Sequence, residues 1–252
     1  MKKAIFLMVL ALVFLTPQLS VHADGPDQMI IINKVNNQLY YFDDGTLIRQ
    51  FPVATGKEDT PTPEGAFTLA NKIKNRPWYK ENIPGGAANN PLGKRWLGLK
   101  VGHNRGHMYG IHGNIRESSI GKYVTNGCIR MHNNDVYWLF NQVAVGTPVI
   151  VTRFQGNVEE FAARSGYHVM TWDGEMVDEF QIGRVETLRP MKLYSYNEKG
   201  EPIAMQWVPA NTRYQVYATD GKGTYTVGSN KYLLYTTPND TKYELVPSYI
   251  KR

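Results

Sequence analysis

The chain has 252 residues, a formal net charge of +6 and a single cysteine. That length suits one large or two small domains, and a lone cysteine excludes an intrachain disulfide. The modest positive balance fits a polyanionic surrounding such as a bacterial wall and is also ordinary for a soluble protein; no nucleic-acid partner is expected.

The first residues, Met1-Lys2-Lys3, the apolar run from Ala4 to Leu15 and the small-residue site at Val21-His22-Ala23 read as a secretory signal peptide cleaved after Ala23. The run of about a dozen apolar residues is short of the ~20 needed to span a bilayer, so no transmembrane anchor is expected after cleavage. No cysteine stands near the cut, which excludes a lipoprotein.

Met29 to Asn33 and Gln38 to Phe42 read as two strands of a hairpin or meander closed by Asp43-Asp44-Gly45, and Leu47 to Ala54 as a third. Thr60-Pro-Thr-Pro-Glu-Gly65 is a loop, because its prolines remove backbone donors, and Ala66 to Leu69 resumes as strand. From Lys72 to Arg95 periodicity disappears, and the Pro-, Gly- and aromatic-rich text reads as a binding loop or lid over a site. Trp96 to Leu99 and Met108 to His112 are further short strands. Val136, Leu139, Phe140 and Val143 repeat at helical spacing, with Asn133 or Asn134 as cap, and Val149 to Thr152 closes the unit as a strand. Phe154 to Arg164 suggests a short helix, and Tyr167 to Trp172 with Met176 to Ile182 a hairpin. From Val185 onward short strands alternate with turn pairs, the pattern of a small all-β module.

Cys128 follows Gly127 and lies within one domain's reach of His112, itself followed by Gly113. A thiol is a good nucleophile only when its pKa is lowered or its proton removed, and a nearby His does both. Glycines let a substrate approach the backbone, so the amides of Asn126, Gly127 and Cys128 are candidate donors to a developing oxyanion. Arg130, two residues on in an extended segment, points to the same side as Cys128 and is a candidate clamp for a substrate carboxylate. Tyr109 and Trp96 are candidate groove residues; the competing reading makes them packing residues. His103, His107 and His112 invite a metal reading, but no carboxylate or further thiol completes the set, so no metal and no cofactor is expected. The bland reading of Cys128 is a buried, inert residue.

The string Gly110-Ile-His-Gly, Ser119-Ile-Gly-Lys122 and Gly127-Cys-Ile-Arg-Met-His-Asn-Asn-Asp-Val136 resembles the signature of the YkuD-type L,D-transpeptidases. The resemblance extends over residues 28 to 153, including Ala54-Thr-Gly56 and Thr60-Pro-Thr-Pro-Glu-Gly65. It implies a mainly β fold, a β-sandwich or barrel-like sheet with one helix beside the site. It also implies a reaction on peptidoglycan stem peptides: Cys128 attacks the L-centre carbonyl of meso-diaminopimelate, terminal D-Ala leaves, and a second stem's amine resolves the thioester into a 3→3 cross-link. In those terms His112 carries the proton and the carbonyl of Gly113 orients it. Many relatives have His where this chain has Asn126, which concentrates the base role on His112.

The expected organisation is therefore a signal peptide at 1–23, a catalytic domain at 28–153, a connecting segment with a hairpin at 154–184 and a small all-β domain at 185–252. The last resembles bacterial SH3-like wall-binding modules, with Tyr-rich strands as candidate stacking surfaces for glycan. Placement in the wall or at the cell surface, as in a Gram-positive bacterium, is expected, and a periplasmic location is also compatible. Two alternatives stand beside the transpeptidase: an L,D-carboxypeptidase, in which water resolves the thioester, and a non-catalytic wall-binding protein.

Overall fold

The computed structural model describes residues 27–235 and 237–250, so the expected signal peptide lies outside the described residues. The N-terminal strands β1 (Gln28–Asn33), β2 (Gln38–Asp43) and β3 (Thr46–Pro52) form an antiparallel meander. β1 and β2 are buried on both faces, and alternation sorts their side chains into two cores. Ile30, Ile32, Leu39 and Tyr41 enter the main core, while Met29, Ile31, Tyr40 and Phe42 pack beneath a later segment.

A two-residue strand β4 (Thr55–Gly56) precedes β5 (Gly65–Lys74), β6 (Arg95–Leu99), β7 (Tyr109–His112), β8 (Tyr123–Thr125) and β9 (Ile129–Arg130). Helix α1 (Asn133–Gln142) and strand β10 (Pro148–Thr152) follow. The main sheet runs β3-β2-β1-β10-β5-β6-β7-β9, with β1–β10 and β7–β9 parallel. Strands from both ends of this order contribute to one core: Phe51 of β3 and Ile129 of β9 share it with Val136, Leu139 and Phe140 of α1. The sheet therefore curls around α1. Its two edges meet where Ala54 and Arg130 exchange backbone hydrogen bonds, each 2.9 Å, which gives the mainly β, barrel-like sheet with a helix beside it that the family resemblance implied.

β5 continues five residues past the expected end of its strand, to Lys74, where it pairs with Arg95 of β6. Only residues 75–94 of the expected lid form an excursion, and it is pinned. Fully buried Asn90 donates from Nδ2 to the carbonyls of Arg76 (3.0 Å) and Pro84 (3.1 Å), and its Oδ1 accepts Leu92 N–H.

Helix α2 (Val158–Arg164) and the segment through Val169 cover the outer face of β1 and β2. The expected hairpin is shorter than read, reduced to β11 (Thr171–Trp172) and β12 (Glu175–Met176). Its turn is held by the buried carboxylate of Glu159, which accepts the Thr171 hydroxyl and the N–H groups of Asp173 (2.7 Å) and Gly174 (3.1 Å). The C-terminal region is all-β. β13 (Gly183–Thr187), β16 (Arg213–Val216) and β20 (Thr241–Leu245) form one sheet; β14 (Met191–Tyr196), β15 (Pro202–Val208), β17 (Ala218–Thr219), β18 (Thr224–Gly228) and β19 (Lys231–Leu234) form the other. Val185, Leu193, Val216 and Leu233 are among the residues of their shared core. Among the described residues no helix is long and apolar enough to cross a membrane.

Candidate active site

Strands β7 and β9 are parallel neighbours with His112 opposite Arg130. Paired residues share a face, so His112 and Arg130 lie on one face of this strand pair, and Cys128, the residue before β9, is near enough to that face for Arg130 and Arg76 to act on it as they act on His112. The topology thus gathers three residues that the sequence keeps apart.

His112 is buried, and its Nδ1 lies 2.6 Å from the Gly113 carbonyl oxygen. A carbonyl only accepts, so Nδ1 carries the proton and Nε2 keeps its lone pair. Burial drives the His112 pKa down to about 4; the Gly113 carbonyl opposes this, and Arg130 and Arg76 add to it. At neutral pH the ring is a free base. The peptide that carries the Gly113 carbonyl is held through its Asn114 N–H end by a side-chain network. Asn133 Nδ2 donates to the Asn114 carbonyl (2.8 Å), its Oδ1 accepts Asn114 N–H (3.1 Å), and Asn114 Nδ2 donates to the Met131 carbonyl (2.7 Å). A Cβ on Gly113 would sit 2.2 Å from Asn133 Oδ1. Asn133 is therefore a brace for this turn; His132 occupies the N-cap position of α1, and its ring pairs with Glu117.

Cys128 is partly exposed, and its sulfur lies 3.6 Å from the Met108 carbonyl oxygen. Burial pushes the thiol pKa up, against the Gly110 N–H, Arg76 and Arg130, which pull it down. Of the two routes to an activated thiol, a lowered pKa and removal of the proton, the resting site provides only the second: a neutral thiol in the same site as a neutral imidazole.

The turn before Cys128 is closed by Thr125, whose hydroxyl donates to the Cys128 carbonyl (2.6 Å) and accepts the Gly127 N–H (3.2 Å). The Gly127 amide expected as an oxyanion donor is thereby engaged within the turn. Gly127 has φ +104°, and a Cβ there would meet Tyr109 Cε1 at 2.8 Å, so the half-buried Tyr109 ring lies directly over it. The Thr60-Pro-Thr-Pro loop leans on the same turn, with Thr60 Oγ1 donating to the Thr125 carbonyl at 3.1 Å.

Trp96 departs from its expected place in a substrate groove. It is 1% exposed, its indole N–H donates to the Gly106 carbonyl (2.9 Å), and its ring stacks on His112 with centroids 5.5 Å apart and planes at 14°. It is the wall that seats the imidazole. The sequence reading also missed Arg76. Its guanidinium lies 4.1 Å from the Trp96 ring centroid and donates through Nη2 to the His107 carbonyl (2.8 Å). It acts electrostatically on both Cys128 and His112. The one available signal was a cation inside an aromatic, proline-rich stretch, Arg76-Pro-Trp-Tyr79. Among the described residues no group of three or more His, Cys, Asp or Glu is placed to hold a metal ion.

The family model for the L,D-transpeptidase catalytic domain, YkuD, matches residues 27–151. YqjB of Bacillus subtilis, which bears the L,D-transpeptidase name, is 46% identical over 136 residues, covering 54% of this chain and 77% of that protein. YkuD of Bacillus licheniformis is 40% identical over 49% of this chain and 64% of its own length. A solved structure of an Enterococcus faecium L,D-transpeptidase aligns over 50% of this chain and 49% of its own, with 25% identity and a TM-score of 0.40. The matched region holds His112, Gly113, Cys128, Arg130 and the loop that carries Arg76. This chain belongs to the YkuD-type L,D-transpeptidase family.

Proposed function

We propose that this protein is a peptidoglycan L,D-transpeptidase that forms 3→3 cross-links, with Cys128 as nucleophile and His112 as base. The observation that carries the reading is the Nδ1 contact of His112 with Gly113, which leaves Nε2 basic in the site that also holds the one thiol of the chain. His112 takes the Cys128 proton as sulfur adds to the L-centre carbonyl of residue three of a tetrapeptide stem. The oxyanion is assigned to the backbone amides of Cys128 and Asn126, because the Gly127 N–H is engaged by Thr125. The imidazolium then protonates the departing nitrogen of D-Ala and a thioester remains. The side-chain amine of a second stem attacks it, His112 accepts the amine proton, and the thiol is regenerated. Arg130 and Tyr109 contact the substrate in this scheme.

The catalytic unit is placed at 28–153, a connecting segment at 154–184, and a wall-binding all-β unit from 185 onward in an exported, surface-located protein. Support for the last comes from β15, whose Ile203, Met205 and Trp207 are half or more exposed, with Lys192 Nζ 5.0 Å from the Trp207 ring centroid. Aromatic rings on an open strand suit stacking against sugars.

The test is incubation with tetrapeptide muropeptides and mass analysis of the products. Dimers with one D-Ala lost per link are expected, and none with Cys128→Ala. Tripeptide monomers alone would make the protein an L,D-carboxypeptidase, and unchanged substrate would leave the non-catalytic reading.

A further inference from the structure

Arg76 is a buried cation without an anion. It is 8% exposed, packed on Trp96 and 5.8 Å from the Tyr79 ring centroid, and its carbonyl is pinned by Asn90. Among the described residues no carboxylate forms an ion pair with it; other arginines, Arg130 included, also lack one, but Arg76 is the only buried arginine among those described. Burial lowers its pKa, and the groups that offset this are Cys128 and Tyr79 rather than any Asp or Glu. Holding a guanidinium out of water without a counter-charge is unfavourable, and a structure that braces it so is arranged for an anion that arrives. Its N–H groups are also not sealed. Arg95 Nε and Arg184 Nη1 are buried without partners, but no nitrogen of Arg76 is in that condition, so its donors beyond the one given to His107 keep contact with solvent.

We propose that Arg76 binds the C-terminal carboxylate of the donor stem, that of the D-amino acid which leaves. The inference rests on the donor reaction proposed above. In that reaction His112 must protonate the departing nitrogen, so the leaving residue lies on the His112 side of the thiol. Its carboxylate is two bonds from that nitrogen. Arg76 shares the Trp96 ring with His112 and acts on both the imidazole and the thiol. Arg130 also faces the site, but its side chain is partly exposed and no aromatic ring among the described residues holds its guanidinium, whereas Arg76 is buried and stacked on Trp96. The planar fork of Arg76, fixed by stacking, suits bidentate capture of a carboxylate. Arg76 therefore selects donors that end in a free acid.

The experiment compares a tetrapeptide donor with the same donor ending in D-alaninamide, in wild type, Arg76→Met, Arg76→Lys and Arg130→Met. The readout is kcat/KM for release of the terminal residue. Wild type is expected to prefer the acid by about 30-fold, the size of one charge-assisted hydrogen-bonded contact. Arg76→Met should lose about 30-fold more on the acid than on the amide and so erase the preference, and Arg76→Lys should keep part of it. Equal losses on both donors would assign Arg76 a structural role and overturn the inference. So would a wild type with no preference, or a preference erased by Arg130→Met and kept by Arg76→Met. If Arg76→Met does not fold, an undiminished preference in Arg76→Lys overturns it as well. A wild type that releases the terminal residue from neither donor contradicts the proposed function itself, and the inference falls with it.

Discussion

His112 Nδ1 donates to the carbonyl of the next residue, Gly113, across 2.6 Å, and this contact sets which nitrogen of the ring is basic. Burial holds the ring neutral down to about pH 4. The rate of Cys128 acylation by a tetrapeptide donor should therefore rise with pH through about 4 and stay level through pH 8, since burial pushes the thiol pKa upward. Single-turnover rates across that range, with folding followed by circular dichroism, check this. A midpoint near 6.5 would mean an imidazole exposed to water.

The same shift links to stability. The folded-state pKa lies below the unfolded value of 6.5, so the unfolded chain binds the proton more tightly and stability falls as pH drops from about 6.5 through 4. The loss is on the order of 3 kcal/mol. Urea unfolding at pH 7 and pH 4 should show it in wild type, and His112→Gln should show a shallower pH dependence.

Gly127→Ala places a Cβ 2.8 Å from the Tyr109 ring at φ +104°, whereas Gly121, at φ +86°, has open space around it. Gly127→Ala should cost about 2 kcal/mol and reduce turnover at least ~10-fold, because the turn that presents Cys128 must shift. Gly121→Ala carries the backbone cost alone and should retain turnover. Chemical denaturation and product formation measured on both variants separate the steric effect from the backbone effect.

Glu159 joins the connecting segment to the hairpin turn through three accepted hydrogen bonds. Glu159→Ala leaves buried donors without an acceptor and should destabilise the protein by about 3 kcal/mol. Acylation of Cys128 in the folded fraction should be unchanged, since the bonds of Glu159 stay within the segment that covers β1 and β2 and the hairpin turn that follows it. A change within 0.5 kcal/mol, on the scale of about one exposed contact, would show the clamp to be dispensable.

Much of the catalytic fold was legible because its signals are periodic. The helix from Asn133 and the alternating strands β1 and β2 follow from side-chain spacing, while residue type beside glycine only singled out Cys128 and His112 as candidates, and the family resemblance joined them. Spacing cannot say which face of an aromatic residue is covered, which is why Trp96 stayed open between groove and packing until the fold showed it backing the imidazole. Arg76 escaped because it lies in a segment held by side-chain-to-backbone bonds from Asn90, which leave no period in the sequence. Asn133 or Asn134 was read as the helix cap, yet His132 takes that position and both polar atoms of the Asn133 side chain serve Asn114, a partner set by the tertiary fold. The direction of the thiol pKa depends on burial, which no local pattern carries.

The central claim is that Cys128 carries the acyl group. Intact-mass and peptide-mapping measurement after brief mixing with a tetrapeptide donor tests it most directly. The account predicts an adduct equal to the donor minus D-Ala, mapped to Cys128, sensitive to hydroxylamine and absent in Cys128→Ala. Turnover that persists in Cys128→Ala, or an adduct on another residue, would contradict it.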